Sequence, residues 1–251
     1  MASLYPNDVD TMTTLTREDL AWCVRRMPKD VRELLKDRRG TFLAGGFIRA
    51  CVAGEEVNDL DLFVASKEEA KAVAARLSDA VDGDLAGTKK VHESANAYTV
   101  YLRRALVQVI HRWTFKYPAE CMESFDFTIA QAAIWWDGGW ESMCSSRFYP
   151  DLAAKRLVYL SPSRNEDAGG SMLRVLKFYN RGYRMPLPDL AAVIARLVGG
   201  VDEEELKAAR FNGSDAGDNE RAMGKVLTGL LREVDPLIDP DHIIHEEGLD
   251  G

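Results

Sequence analysis

Two aspartates separated by a single residue, Asp59 and Asp61, constrain this chain more than any other feature of its sequence. They lie in the run D-L-D-L-F-V, whose composition is typical of a β-strand. Because strand side chains alternate between the two faces of a sheet, both carboxylates are expected to project from the same side. Two like charges this close repel each other, and a fold normally tolerates them when a cation lies between them. The pair therefore predicts a metal site on one face of a sheet.

The residues in front of this strand predict another strand and a short helix. Phe42 to Ala44 form a short apolar run that ends at two glycines, Gly45 and Gly46. A helix carrying Arg49 is expected to follow, and Gly54 is expected to turn the chain toward the aspartates. Residues 41–66 are thus predicted to form a strand, a helix and a second strand.

The composition is that of an ordinary globular protein. With 251 residues and 46% hydrophobic content, the chain can bury a sizeable core. It has no apolar run long enough to span a bilayer, and its first 15 residues lack the pattern of a signal peptide. We therefore expect a cytoplasmic protein without a membrane partner. The cysteines form no C-x-x-C pair and are expected to be reduced, mostly buried thiols: Cys23, Cys51, Cys121 and Cys144.

The formal net charge of −8 is unevenly distributed along the chain. Residues 155–184 contain seven basic and two acidic side chains, whereas residues 189–251 contain six basic and fifteen acidic ones. A basic segment is therefore followed by an acidic one. Local binding of a polyanion is compatible with this distribution, although the whole protein is acidic.

The pattern of the first half predicts a mixed α/β head domain over residues 16–165, after a loose, polar stretch over residues 1–15. Thr16 begins a capping pattern, and one or two helices are expected from there to Asp37. Trp22 and its two following residues are expected to be core. Ser66 is expected to cap a further helix. Antiparallel strand pairs are predicted over residues 97–103 with 106–111, and over residues 126–136 with 140–144.

The second half is predicted to be an all-helical neck or cap domain over residues 166–251. Helices are expected over residues 171–183, 187–197, 202–211 and 219–234, after a break at Gly169 and Gly170. The first of these helices is expected to have one apolar face, formed by Met172, Val175, Leu176 and Tyr179. The predicted fold class is therefore α+β: a small mixed sheet flanked by helices, followed by helices alone.

Three motifs of this chain resemble those of one enzyme superfamily. G-G-F-I-R, followed by D-L-D-L-F-V at a spacing of thirteen residues from Gly46 to Asp59, resembles the signature of polymerase β-type nucleotidyltransferases. D-F-T-I-A-Q-A at residues 126–132 is similar to a segment of CCA-adding tRNA nucleotidyltransferases and bacterial poly(A) polymerases. L-R-V-L-K-F-Y-N-R-G-Y at residues 173–183 resembles their neck. The motifs occur in the order found in that family.

The resemblance implies a template-independent transfer of a nucleoside monophosphate from an NTP such as ATP to an acceptor. The similarity to CCA-adding enzymes implies that the acceptor is an RNA, with a tRNA-like 3′ end. Asp59 and Asp61 would be catalytic and would hold two Mg²⁺ ions, or Mn²⁺, roughly 3.5–4 Å apart. Gly45 and Gly46 would present backbone N–H groups to the triphosphate, and Arg49 would contact a phosphate through its guanidinium.

Several positions depart from the family's pattern. Ser124 and Phe125 stand where two arginines are usual, and Ser171 and Met172 replace an acidic residue and a proline. The chain is also shorter than a full CCA-adding enzyme. Two alternatives therefore stay open: transfer to a protein or a small molecule, and a non-catalytic module that binds nucleotides or RNA. Arg49 also has an alternative, as a surface or salt-bridging residue.

Asp126 and three basic residues complete the set of candidate site residues. Asp126 is a candidate third metal ligand, a candidate contact to ribose or base, or a cap at the start of its strand. Gln108 is neutral and cannot serve as a charged metal ligand. The resemblance implies that Arg174 contacts the nucleotide. Lys177 and Arg181 are expected to contact RNA phosphates or to form salt bridges on a solvated face.

Overall fold

The structure, a computed structural model, describes residues 11–79, 91–103, 105–162 and 168–199. The chain divides into two compact units, Met1–Pro162 and Ser163–Gly251. The first unit contains a mixed sheet with helices, and the described part of the second unit contains two helices. The predicted α+β fold class is confirmed.

Within the described residues, eight strands form one mixed sheet: β1 (Met12–Thr13), β2 (Phe42–Ala44), β3 (Asp59–Phe63), β4 (Val91–Glu93), β5 (Ala97–Leu102), β6 (Ala105–Ile110), β7 (Ala132–Trp136) and β8 (Trp140–Ser145). Their order across the sheet is β1-β8-β7-β2-β3-β6-β5-β4. β3 runs parallel to β6, and the other neighbouring strands are antiparallel. The strand that carries the aspartates therefore lies near the middle of the sheet, with hydrogen-bonded neighbours on both sides.

Eight α-helices lie within the described ranges: α1 (Arg17–Arg26), α2 (Lys29–Asp37), α3 (Gly46–Ala53), α4 (Lys67–Asp79), α5 (Pro118–Glu123), α6 (Phe148–Ala153), α7 (Ala168–Asn180) and α8 (Leu187–Gly199). Two predicted helix starts are confirmed. The Thr16 hydroxyl accepts a hydrogen bond from the Asp19 backbone N–H at 3.1 Å, and the Ser66 hydroxyl accepts one from Glu69 at 3.2 Å. None of these helices combines the length and the apolar character that crossing a bilayer requires.

The side chains of β3 divide the sheet into two different faces. Leu60 and Leu62 are 2% and 0% exposed and lie on the face against which α3 packs. The other face carries the half-buried Asp59 and Asp61, and Phe63 lies two residues further along it. There Phe63 joins a separate apolar cluster, whose other fully buried members are Phe42, Ala44, Cys121, Met122 and Ala133.

The structure corrects two predictions in the first unit. Residues 11–15 are not loose, because β1 pairs with β8 and Leu15 is 5% exposed. The strand predicted over residues 126–136 is shorter than expected and begins at Ala132. The residues before it form a 3₁₀ turn at Thr128–Ala130, which places Asp126 in an irregular segment instead of a strand.

The prediction that Trp22 and Cys23 of α1 belong to the core is confirmed for Cys23, which is fully buried, and wrong for Trp22, which is 44% exposed. The two residues are adjacent, so the helix directs them to different sides. The Trp22 ring instead has two guanidinium groups nearby, with the Cζ atoms of Arg25 and Arg26 each 5.7 Å from its centroid. The prediction of buried, reduced thiols is confirmed for all four cysteines.

In the second unit, α7 begins earlier than predicted. It starts at Ala168, so that Gly169 and Gly170 continue the helix and do not break it. α8 confirms the helix predicted over residues 187–197. The helices predicted over residues 202–211 and 219–234 lie outside the described residues.

The buried face of α7 also differs from its prediction. Val175 and Phe178 are 6% and 9% exposed, whereas Leu176 and Tyr179 are 51% and 57% exposed. The apolar residues of this helix form two neighbouring stripes that both have helical spacing. The sequence pattern therefore identified the helix but not the stripe that becomes buried.

Candidate functional site

Asp59 and Asp61 occupy the positions that the alternation of β3 predicts. Both side chains are half-buried, while Leu60 between them points into the core on the other face. A shift of one residue in register would bury the aspartates and expose the leucines, so burial of Leu60 and Leu62 fixes the orientation of both carboxylates.

The neighbouring strands place small and neutral side chains beside Asp61. Ala44 of β2 and Gln108 of β6 are its direct partners across the sheet. Paired residues project from the same face, and adjacent strands lie roughly 5 Å apart. The direct neighbours of Asp61 on this sheet face are therefore a methyl group and an amide, and neither is acidic.

The donor set of these residues fits a hard divalent cation. Two carboxylates from one strand face supply oxygen ligands, and Mg²⁺ retains several of its waters when it binds to proteins. Among the described residues, no group of three or more His, Cys, Asp or Glu side chains could hold a metal ion. The arrangement therefore favours a metal ion whose remaining ligands are water or substrate oxygens, and not one that is coordinated by protein alone.

The two glycines at the start of α3 have different structural roles. Gly45 has φ +82° and ψ −128°, a backbone conformation that residues other than glycine rarely adopt. A Cβ atom at this position would lie 3.4 Å from the Phe125 ring. Gly46 has an ordinary backbone conformation, and a Cβ there would meet no atom within 4 Å. α3 has no side-chain cap at its N-terminus. The Gly45 N–H bonds to the Ala132 carbonyl at 2.9 Å, so the prediction that it faces a triphosphate is not met; the backbone N–H groups that α3 can offer begin at Gly46, beside open space.

Phe125 places the segment around Asp126 beside this helix start. Its ring lies against Gly45 and has its centroid 6.1 Å from that of Phe63, on the same face of β3 as the aspartates. Asp126 follows directly and is 5% exposed, and its backbone carbonyl accepts a hydrogen bond from Leu160 at 2.8 Å. Residue 126 thus belongs to the same region of the fold as Gly45 and Asp61.

Arg49 adopts the arrangement of the salt-bridging alternative. Its side chain is 4% exposed and pairs with the carboxylate of Glu55, which is 18% exposed. The pair links α3 to the segment between Gly54 and β3, since the Glu55 backbone N–H also bonds to the Ala50 carbonyl at 2.9 Å. Removing either partner would leave the other charge buried and uncompensated, so the pair holds α3 to the segment between the glycine pair and the aspartates.

A buried charge cluster that was not predicted from the sequence supports the D-F-T-I segment. Asp151 is 1% exposed and accepts a hydrogen bond from the Thr128 hydroxyl at 2.7 Å. It also forms ion pairs with Arg147 at 3.3 Å and with Arg156 at 3.1 Å. The spacing of four residues between Arg147 and Asp151 was a signal for part of this cluster. The contact with Thr128 joins residues that are distant in sequence and had no such signal.

The predicted nucleotide- and RNA-binding residues of the second unit lie along and just beyond α7. Arg174 is half-buried and Lys177 is exposed, and both belong to the helix. Arg181 follows the end of the helix, where its backbone N–H bonds to the Phe178 carbonyl at 3.1 Å. The helix predicted over residues 171–183 therefore contains Arg174 and Lys177 but ends before Arg181.

Comparison with protein families identifies the chain. Residues 14–155, more than half of its length, match the model of a family described as "Gabija anti-defense 2 family protein". The chain belongs to this family. The matched region includes the glycine pair, both aspartates and Asp126. No curated protein matches the chain.

Solved structures of CCA-adding enzymes are similar to the structure of this family member. A complex of a CCA-adding enzyme with CTP has a TM-score of 0.54 and 18% identity, covering 86% of this chain and 50% of the enzyme. The Thermotoga maritima enzyme complexed with tRNA has a TM-score of 0.52 and 16% identity, covering 90% and 56%. A complex with ATP has a TM-score of 0.55 and 16% identity, covering 90% and 57%. This chain therefore has the fold of these nucleotidyltransferases and spans about half their length.

Alanine substitutions distinguish the two glycines by their effects on stability. Gly45→Ala is expected to lower the free energy of unfolding by about 1–3 kcal/mol, because it forces a side chain into a conformation that favours glycine. Gly46→Ala is expected to change it by less than about 1 kcal/mol, or to raise it, because alanine favours helix. Urea unfolding measures both values. An equal decrease in the free energy of unfolding for both variants would contradict the different roles of the two glycines.

Removing the charge of Asp151 tests the buried cluster. Asp151→Asn is expected to lower the free energy of unfolding by about 3 kcal/mol, because two arginines lose their counter-charge in a buried environment. The matched control is Asp137→Asn, whose exposed carboxylate lies 4.0 Å from Arg39. Asp137→Asn is expected to lower the free energy of unfolding by less than about 1 kcal/mol. Similar urea unfolding midpoints for both variants would show that the Asp151 cluster does not stabilise the fold.

Proposed function

We propose that this protein is a metal-dependent nucleotidyltransferase, which moves a nucleoside monophosphate from an NTP to an acceptor hydroxyl. One observation carries the proposal: Asp59 and Asp61 share one face of β3, beside the uncapped helix start at Gly45 and Gly46, in the fold of CCA-adding enzymes. Each part alone is common in proteins. Their combination in this fold supports nucleotidyl transfer.

Asp59 and Asp61 are the residues that would hold Mg²⁺, with Mn²⁺ as a possible substitute. Two such ions, when bound, neutralise charge on the attacking and leaving oxygens of the transfer. The position of the aspartates on a central strand keeps both carboxylates fixed relative to the helix start. Asp126 is proposed as a third acidic member of the site, as a metal ligand or as a contact to the nucleotide's sugar or base.

The start of α3 is proposed to bind the triphosphate. Unpaired N–H groups at a helix N-terminus attract phosphate, and the space beside Gly46 allows a phosphate to approach the backbone closely. The buried ion pair between Arg49 and Glu55 is proposed to position α3 and the residues that precede β3. In the second unit, Arg174 is proposed as a further contact to the nucleotide.

The proposed step is an in-line displacement at the α-phosphorus of the NTP. The acceptor's hydroxyl oxygen forms a bond to this phosphorus, while the bond from the phosphorus to the α,β-bridging oxygen breaks. Pyrophosphate leaves with the electron pair of that bond, and the proton of the hydroxyl passes to solvent or to a carboxylate of the site. The residues of the chain supply position and charge, which are the main requirements of phosphoryl-group transfer.

An RNA 3′ end is the first candidate acceptor. The solved Thermotoga maritima enzyme with the same fold is complexed with tRNA, and Lys177 and Arg181 supply positive charge near the end of α7. An RNA acceptor predicts binding that weakens steeply with salt concentration. This chain spans about half the length of that enzyme, so the proposal is limited to transfer onto an RNA end.

A protein acceptor is the second candidate, and the description of the family names a defence system whose proteins can be tested as acceptors. The description "Gabija anti-defense 2" indicates members that act against a defence system named Gabija. Transfer of a nucleotide to a side-chain hydroxyl of a defence protein would use the same bond changes at phosphorus. We propose action against Gabija as the biological role, through this transferase activity.

The first experiment measures transfer of label from each α-³²P-labelled NTP with Mg²⁺ to total RNA or to protein. Asp59→Asn and Asp61→Asn are each expected to lower the rate at least about 100-fold, because each removes charge from the metal site. Glu56→Gln is the matched control, since it removes an exposed carboxylate just before β3 and is expected to retain the rate. An Asp61→Asn variant as active as wild type would contradict the proposal.

The distribution of the label identifies the acceptor. Label on RNA that disappears when Lys177 and Arg181 are changed to Gln supports an RNA 3′ end. Label on a Gabija protein, with none on RNA, supports the second candidate. Absence of label from RNA and from protein with every NTP would contradict both.

A further inference from the structure

A cavity of about 540 Å³ lies on the side of the sheet opposite to Asp59 and Asp61. It is lined by Leu60, which alternates with the aspartates along β3, and by Phe47 of α3. Both side chains are 2% exposed and belong to the core. Cavities of roughly 300–1,000 Å³ hold small-molecule ligands. The cavity is therefore large enough for a ligand and separate from the proposed transfer site.

The cavity carries an excess of positive charge. Arg26 at the end of α1, Lys29 at the start of α2 and Arg103 after β5 line it, with Asp30 as the acidic residue among its lining. Among the described residues, no carboxylate forms an ion pair with Arg26 or Arg103. Three cations from three different elements thus meet at one concave surface, which favours an anionic ligand.

Two further features strengthen the attraction for an anion. Lys29 pairs with Glu33 at 3.6 Å, but the two side chains are 76% and 53% exposed, so the pair is weak and can exchange for a ligand. Pro28, which also lines the cavity, precedes the nine-residue helix α2 and provides no side-chain cap. The first N–H groups of α2 therefore add partial positive charge beside the cations.

Apart from Asn58, the rest of the lining is apolar and suits a ligand with a ring system. Val57 and Leu102 are half-buried and supply the accessible apolar surface, whereas Phe47 and Leu60 are almost fully buried. Inorganic phosphate alone would leave this surface without a partner. A ligand with an aromatic body and phosphate groups would use both the apolar and the cationic part of the lining.

We propose that this cavity binds a nucleoside phosphate, with its phosphates on Arg26, Lys29 and Arg103 and its base against the half-buried side chains of Val57 and Leu102. The binding does not require metal ions, because arginine and lysine side chains of the protein neutralise the charge of the phosphates. It is also independent of nucleotidyl transfer, because the cavity uses the opposite face of β3. The protein thus has a second nucleotide site besides the one proposed for catalysis.

The experiment measures binding of ATP, adenosine and tripolyphosphate by calorimetry in EDTA, which removes metal from the transfer site. The test variant is Arg26→Gln with Arg103→Gln. Arg25→Gln is the matched control, since Arg25 lies on the same helix and at the same 5.7 Å distance from the Trp22 ring but does not line the cavity. All substituted side chains are exposed, so the variants are expected to fold, and circular dichroism checks this.

Wild type is expected to bind ATP in EDTA more tightly than adenosine or tripolyphosphate. The Arg26→Gln, Arg103→Gln variant is expected to raise the Kd for ATP at least about tenfold, and Arg25→Gln less than about threefold. Asp61→Asn is expected to leave this Kd unchanged, even if it abolishes transfer. Absence of ATP binding in EDTA, adenosine binding as tight as that of ATP, or an equal effect of Arg25→Gln would each overturn the proposal.

Discussion

The pairing of β3 with β2 on one side and β6 on the other is the constraint on which the candidate site depends. Burial of Leu60 and Leu62 fixes the register of β3, and the register directs Asp59 and Asp61 to the opposite face. The same pairing places Ala44 beside Asp61, and Ala44 leads directly into the glycine pair at the start of α3. The hydrophobic core thus determines where the charges of the site lie.

Buried ion pairs stabilise both segments that flank the aspartates. Arg49 and Glu55 link α3 to the residues before β3, and Asp151, which is paired with Arg147 and Arg156, accepts a hydrogen bond from Thr128, two residues after Asp126. Their contribution is to fix irregular segments that carry few regular backbone hydrogen bonds, because removing one partner would leave a buried charge uncompensated.

Local patterns predicted the fold and the orientation of the two aspartates more successfully than the supporting contacts. The strand at Phe42–Ala44, the helix from Gly46 and the alternation along β3 follow from properties of a few consecutive residues. The 3₁₀ turn after Asp126 and the exposure of Trp22 depend on packing between distant segments, for which the sequence pattern had no signal. Arg49 illustrates the difference, since its position was predicted but its partner, Glu55, was not.

Metal binding at Asp59 and Asp61 is the central claim, and a Mn²⁺ titration followed by electron paramagnetic resonance tests it most directly. In the presence of an NTP analogue with a non-transferable α-phosphate, wild type is expected to bind Mn²⁺. The double variant Asp59→Asn, Asp61→Asn is expected to lose this binding while it keeps the same circular dichroism spectrum. Equal Mn²⁺ binding by a folded double variant and by wild type would contradict the account.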